Sequence, residues 1–218
     1  MRDELLGMTR VVRRSGGLAV AAVLGLLTAR PPDRLSAQLP AQDTIPTGYG
    51  TLRRDDVAVR ITTDRVDIQV LPLREGIIRL LAPDTYRSLS TLIRNRQGTI
   101  DSLAQQVGTR HPTLVLVTFV GLLPQARFNP EDLNLASGGQ LFRPIGIAPA
   151  SATWGSYQLG AQEQASAIYL FDEGITLRED LIISYQTRST TAWSRSVRIL
   201  DQERTRVEAR TRASAPPQ

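Results

Sequence analysis

His111 is the only histidine in the chain, and that removes a good deal of chemistry. A Ser-His-Asp triad would have to use it, yet no Gly-x-Ser-x-Gly elbow occurs anywhere. A site built from several histidines is excluded. With no cysteine, thiol catalysis and thiolate-held metals are excluded too. His111 precedes Pro112 between a helical and an apolar stretch, so it reads as an exposed loop residue rather than a base.

Paired acids recur at Asp55-Asp56, Glu131-Asp132, Asp172-Glu173 and Glu179-Asp180, each beside an expected strand. Oxygen clusters of this kind suit calcium or a two-carboxylate hydrolase. No Asp-x-Asp-x-Asp-Gly spacing accompanies them, so they read as groups that solvate strand ends. No glycine-rich phosphate cradle is present. Trp154 and Tyr157 lie in a Gly/Ser-rich stretch and would suit a platform for sugar or peptide; the alternative is a tryptophan that anchors its own loop. Arg204, Arg206 and Arg210 lie on an arginine-rich C-terminal stretch that could meet an anionic envelope surface, though Asp201, Glu203 and Glu208 dilute it. The expected binding surface is therefore Trp154, Tyr157, Arg204, Arg206 and Arg210, with no catalytic, cofactor-binding or metal-ligating residue assigned.

Charge narrows the partners. All 26 basic residues are arginine. Residues 1–37 hold six of them against three acids, leaving 20 arginines against 18 acids in the remainder. So balanced a domain lacks the clustered basic footprint of a nucleic-acid binder.

The first 37 residues read as an address. Arg2, Arg10, Arg13 and Arg14 precede the apolar run 17–29, Pro31 and Pro32 break it, and Leu35-Ser36-Ala37 offers a small residue at a cleavage point. Thirteen apolar residues fall short of the ~20 that a transmembrane helix needs. The expectation is a signal peptide over 1–37, with a short uncleaved anchor as the alternative, and a mature protein beginning near Leu39 with no membrane span. Export is expected, to the periplasm or the outside of the cell, by either the general or the twin-arginine route. Residues 38–55, rich in Pro, Gly and polar side chains, read as a flexible lead-in.

Residues 56–212 read as one globular domain. Val57, Val59 and Ile61, then Val66, Ile68 and Val70, alternate with polar residues about a short turn, which predicts a hairpin over 57–70. Leu89, Leu92, Ile93, Ile100, Leu103 and Val107 predict a helix over 84–107, capped by Asp84 and interrupted at Gly98. From Thr113, a β-branched run and a series of short strands separated by turn residues predict a sandwich over 113–187. Gly138-Gly139 is a hairpin turn in this reading. Trp193, Val197, Leu200 and Val207 predict an amphipathic helix over 191–212, and 213–218 a disordered tail.

One resemblance joins these parts. The apolar strand 113–120 leads to Phe128-Asn129-Pro130-Glu131-Asp132-Leu133, then to Gly138-Gly139, Phe142-Arg143-Pro144, Ala167-Ile168-Tyr169-Leu170-Phe171 and Leu181-Ile182-Ile183-Ser184-Tyr185. This order resembles the secreted, poorly characterised bacterial immunoglobulin-like domains, similar to mycobacterial immunoprotective-antigen domains and to exported proteins labelled telomeric-repeat-factor-like. The resemblance implies a mainly β, α+β chain whose core is an immunoglobulin-like antiparallel β-sandwich. It carries no agreed activity. The expected function is a non-catalytic exported module, without cofactor, that binds a protein or cell-envelope component. The alternatives are a carboxylate-based exported hydrolase, or a structural envelope protein that pairs through its hairpin or C-terminal helix.

Overall fold

The computed structural model describes residues 45–214. The expected signal peptide, the first part of the lead-in and residues 215–218 lie outside the described residues.

The chain is mixed α+β, mostly antiparallel sheet. Helix α1 (Arg54–Val57) leads into strands β1 (Val59–Thr62) and β2 (Val66–Pro72). Their turn is closed by Thr63, whose hydroxyl donates to the Val66 carbonyl and accepts the Val66 amide, each at 3.0 Å. The short helix α2 (Glu75–Ile78) and the long helix α3 (Pro83–Val107) follow. Strands β3 (Thr113–Gly121), β4 (Ala126–Arg127), β5 (Leu133–Ser137), β6 (Gln140–Phe142), β7 (Gly146–Pro149), β8 (Gln158–Leu159), β9 (Gln164–Phe171), β10 (Leu181–Tyr185) and β11 (Arg188–Thr190) come next, and helix α4 (Trp193–Ser214) ends the described chain. Two 3-10 turns, Pro130–Asp132 and Ala152–Ser156, interrupt the strand series.

The strands form a five-stranded sheet in the order β1-β2-β3-β9-β7, a four-stranded sheet β11-β10-β5-β6 and the small pair β4-β8. The arrangement is compatible with a β-sandwich. Side chains alternate across each strand, and the register sorts them. Val66, Ile68 and Val70 pair with Gly121, Phe119 and Val117, which in turn pair with Ala165 and Ala167 for the last two. This face meets the other sheet, where Phe119 lies 5.7 Å from Tyr185, ring to ring. The opposite face carries Leu71, Leu116, Ile168 and Leu170, all buried. Helix α3 packs there: a Cβ placed on Gly146 would lie 3.2 Å from the Leu103 Cβ, so glycine permits the close approach. With both faces covered, β3 is a continuous apolar run rather than an alternating one.

Several expectations change. The hairpin is not an addition beside the sandwich: β2 pairs with β3 over seven residues, from Val66↔Gly121 to Pro72↔Val115. Local pattern shows that a strand alternates but not which strand it joins. Gly98 does not interrupt α3, which runs 25 residues. An exposed mid-helix glycine costs about 1 kcal/mol, less than the burial of Leu89, Ile100 and Ala104 on either side returns. The helix begins with Pro83 at its first position and Ala82 as cap, so Asp84 lies inside the first turn and pairs with Arg87. Strand β7 was hidden from sequence by Pro144 and Pro149, which read as turn residues.

The described part of the lead-in, residues 45–55, is docked on the domain. Ile45 is buried, Leu52 bridges Leu81, and a Cβ on Gly50 would lie 2.3 Å from the Leu80 carbonyl. Polar composition concealed this docking, because main-chain bonds to Leu80 and Ala82 and the hold of Glu203 on Thr51 carry much of it. The two helix stripes find cover on different elements, α3 on β7 and α2, α4 on α1 and β10. Trp193 is fully buried and donates its Nε1–H to the Leu177 carbonyl at 3.1 Å.

Candidate functional site

The segment Phe128–Asn134 is held from below by two tyrosines. Tyr169 donates its hydroxyl proton to the Pro130 carbonyl at 2.9 Å, and the Tyr185 hydroxyl accepts the Asn129 amide at 2.9 Å. Burial drives the Tyr169 hydroxyl far above its ordinary pKa. Burial also raises that of Tyr185, with the Asn129 amide pulling the other way. Above them Asp132 is clasped by side-chain amides: Asn129 Nδ2 donates to Oδ1 at 2.8 Å and Gln186 Nε2 to Oδ2 at 3.0 Å. Asn134 Nδ2 donates to the Asp132 carbonyl at 3.1 Å. The carboxylate and amide side chains of this loop thus stand in fixed positions.

Beside the loop runs a groove in two contiguous parts, ≈ 910 Å³ and ≈ 630 Å³, that share Asn129, Glu131, Ile147 and Tyr157. The larger part is lined by the consecutive residues Arg143, Pro144, Ile145, Gly146 and Ile147, together with Asn134 and Gln186. A consecutive run marks the edge of a strand, since one face would offer alternate residues; β7 is the outermost strand of its sheet.

Tyr157 closes the groove. It is 48 % exposed and has φ +50°, a left-handed conformation that a bulky side chain seldom adopts. The 3-10 turn before it fixes that conformation: the Ser156 hydroxyl donates to the Thr153 and Gln158 carbonyls at 3.0 and 2.8 Å, and the Tyr157 carbonyl accepts the Phe128 amide at 3.1 Å. The ring stands nearly perpendicular to Phe128 and to Trp154, with centroids 5.9 and 6.5 Å away. Gln186, at the other end, also has positive φ. It sits in the two-residue turn between β10 and β11, where glycine is the usual occupant.

The expected surface residues separate. Tyr157 is exposed as expected. Trp154 is 3 % exposed and packs against Phe119, Phe128 and Tyr169, so it anchors the loop and offers no platform of its own. Arg204, Arg206 and Arg210 lie on α4, away from the groove's lining. Arg204 donates to Asp201 at 2.6 Å, Arg206 and Arg210 approach Glu203 at 3.6 and 3.7 Å, and Arg210 donates to the Tyr49 carbonyl at 2.9 Å. The Arg206 and Arg210 side chains keep 64 % and 45 % exposure beside these contacts. Glu203 is fully buried and accepts both the amide and the hydroxyl of Thr51, at 3.0 and 2.8 Å.

His111 is exposed, and its amide donates to Glu173 at 2.8 Å. Thr109 donates to Asp172 at 3.2 Å, so that acid pair closes the loop between α3 and β3. Among the described residues no group of His, Asp and Glu has the arrangement to hold a metal ion. A second surface depression, ≈ 1080 Å³, lies over Ala136, Leu141, Ile182 and Val197. Arg54 reaches over the outer face of the five-stranded sheet to donate to Thr118 Oγ1 at 2.7 Å, and burial lowers its pKa.

Of the groove's lining, Tyr157 and Trp154 were singled out for binding from sequence, the second lying buried at its floor, and Glu131-Asp132 as one of four acid pairs. Asn134, Arg143, Ile147 and Gln186 carry no local signal, because the register of two sheets brings them together. The chain matches none of the protein families, curated proteins or solved structures with which it was compared.

Proposed function

We propose that the protein is an exported, non-catalytic β-sandwich module that binds a protein or cell-envelope component in the groove beside β7. The observation that carries this reading is Tyr157: an aromatic ring held half-exposed by a left-handed backbone, at the junction of both parts of the groove. A backbone outlier of this kind costs about 1–3 kcal/mol, and such residues concentrate at functional sites. Packing does not require the exposure, since Trp154 and Phe128 already fill the core beneath. The signal-like N-terminus of the sequence supports export, and the two antiparallel sheets are consistent with the immunoglobulin-like type that the strand order resembles.

The pairing alternative is less well supported. The β1 edge of the hairpin lies against β11, and α4 spends its Trp193 face on Leu177. The test is retention of the tagged full-length protein on envelope material from its own cells. The proposal expects saturable retention that Tyr157→Ala weakens tenfold or more while the variant still unfolds cooperatively, its melting temperature lowered only by the loss of the ring contacts to Phe128 and Trp154. Equal retention of wild type and Tyr157→Ala would remove the groove from the account.

A further inference from the structure

We propose that the groove takes a carbohydrate: a neutral or N-acetylated oligosaccharide, one pyranose ring of which lies against Tyr157. This rests on the binding-module reading above and names its ligand class.

The lining argues for it. A pyranose presents an apolar C–H face and a rim of hydroxyls, each both donor and acceptor. It therefore calls for one exposed aromatic ring beside planar groups that accept and donate in pairs. Tyr157 supplies the ring. Glu131 supplies a carboxylate and Gln186 an amide carbonyl in the same groove, with the Gln186 amide nitrogen held by Asp132, while Asn129 and Asn134 frame the groove with amides bonded within the loop. Glu131 and Asp132 against the single Arg143 leave the lining slightly acidic, which disfavours uronic-acid polymers and other polyanions.

An extended peptide is the natural rival, because a strand edge borders the groove. Strand addition draws its affinity from a ladder of main-chain hydrogen bonds. Pro149 ends β7 and Pro144 stands just before it, and neither has an amide hydrogen to give. Prolines so placed blunt an edge against pairing. The groove thus combines a weak main-chain template with a rich planar side-chain lining.

The test titrates the full-length protein with chitohexaose and with cellohexaose, read by the heat of binding in a calorimeter, a signal that does not depend on the residue substituted. The expected result is saturable binding to at least one of them, weakened tenfold or more by Tyr157→Ala and within threefold of wild type in Tyr157→Phe, which keeps the ring. Glu131→Gln should weaken it by a smaller factor, with an unchanged melting curve as the check on folding. No saturable binding of either sugar, or binding that Tyr157→Ala leaves intact, overturns the inference. If the sugars fail while Tyr157-dependent retention on envelope material persists and is destroyed by protease treatment of that material, the ligand is a protein. The carbohydrate inference then falls and the binding-module reading stands. If retention is absent as well, both fall.

Discussion

Tyr169 and Tyr185 come from opposite sheets and fasten adjacent residues of one loop, Tyr169 at the Pro130 carbonyl and Tyr185 at the Asn129 amide. Because each hydroxyl is fixed to a different sheet, the height of the loop above the core follows the spacing between the sheets. That loop forms part of the lining of the groove. The tyrosines therefore couple the packing of the core to the shape of the surface.

Removing either hydroxyl should show this coupling. Tyr169→Phe leaves the Pro130 carbonyl without its donor, and Tyr185→Phe leaves the Asn129 amide without its acceptor. Each should cost about 1–3 kcal/mol in urea unfolding, as for a buried group left unpaired. The double variant should cost less than the sum, because both bonds hold the same loop. Strict additivity would mean that the two contacts act independently.

Alkaline pH should act through the same pair. Burial raises both hydroxyls above the ordinary tyrosine value near ~10. The native state then holds protons that the unfolded chain releases. Their contribution to stability is intact below about pH 10 and is lost as pH rises through and beyond that value. The chain has neither lysine nor cysteine, so tyrosine is the only side chain that titrates between about pH 9 and 12. Stability measured across that range should fall, and fall less in the Tyr169→Phe, Tyr185→Phe double variant. A flat profile in the wild type would contradict the burial argument.

Two glycines should respond in opposite directions to alanine. Gly98 faces open space within α3, so Gly98→Ala should stabilise by about 0.5–1 kcal/mol, the helix-propensity difference. A Cβ at Gly50 would meet the Leu80 carbonyl carbon and oxygen at 2.3 Å, so Gly50→Ala should lower the melting temperature and loosen residues 45–52. Thermal unfolding of both variants checks the pair.

Glu203 should prove necessary for the docking of the N-terminal segment. Its carboxylate holds the amide and hydroxyl of Thr51 with Arg206 and Arg210 alongside. Glu203→Ala should destabilise by about 2–3 kcal/mol, the range for hydrogen bonds to a charged group. It should also speed proteolysis between Ile45 and Arg53. Unchanged cleavage would show that main-chain contacts to Leu80 and Ala82 hold the segment alone.

Most of the elements were legible in the sequence. Alternation exposed β1 and β2, the β-branched run exposed β3, and helical spacing of Leu89, Ile93 and Ile100 exposed α3. Gly138-Gly139 marked its turn, and both residues do have positive φ. Failures came where long-range contacts override local preference. Gly98 is carried by the burial around it, β7 is a strand between prolines because β9 pairs with it, and residues 45–52 look like a linker because their docking rests on main-chain bonds and on the distant Glu203. The groove was legible at Tyr157, at Trp154 beneath it and at the Glu131-Asp132 pair. Gln186 belongs to it because β10 pairs with β5, and Arg143 because β6 connects to β7 there. No spacing within the chain encodes such neighbours.

The central claim is that Tyr157 presents a binding groove. The most direct measurement compares wild type, Tyr157→Phe and Tyr157→Ala for saturable retention on envelope material from the protein's own cells, with melting curves recorded in parallel. The account predicts that all three unfold cooperatively, with Tyr157→Ala melting somewhat lower for want of its ring contacts, that Tyr157→Phe is retained like wild type, and that Tyr157→Ala loses retention by tenfold or more. Retention of folded Tyr157→Ala at the wild-type level would contradict it.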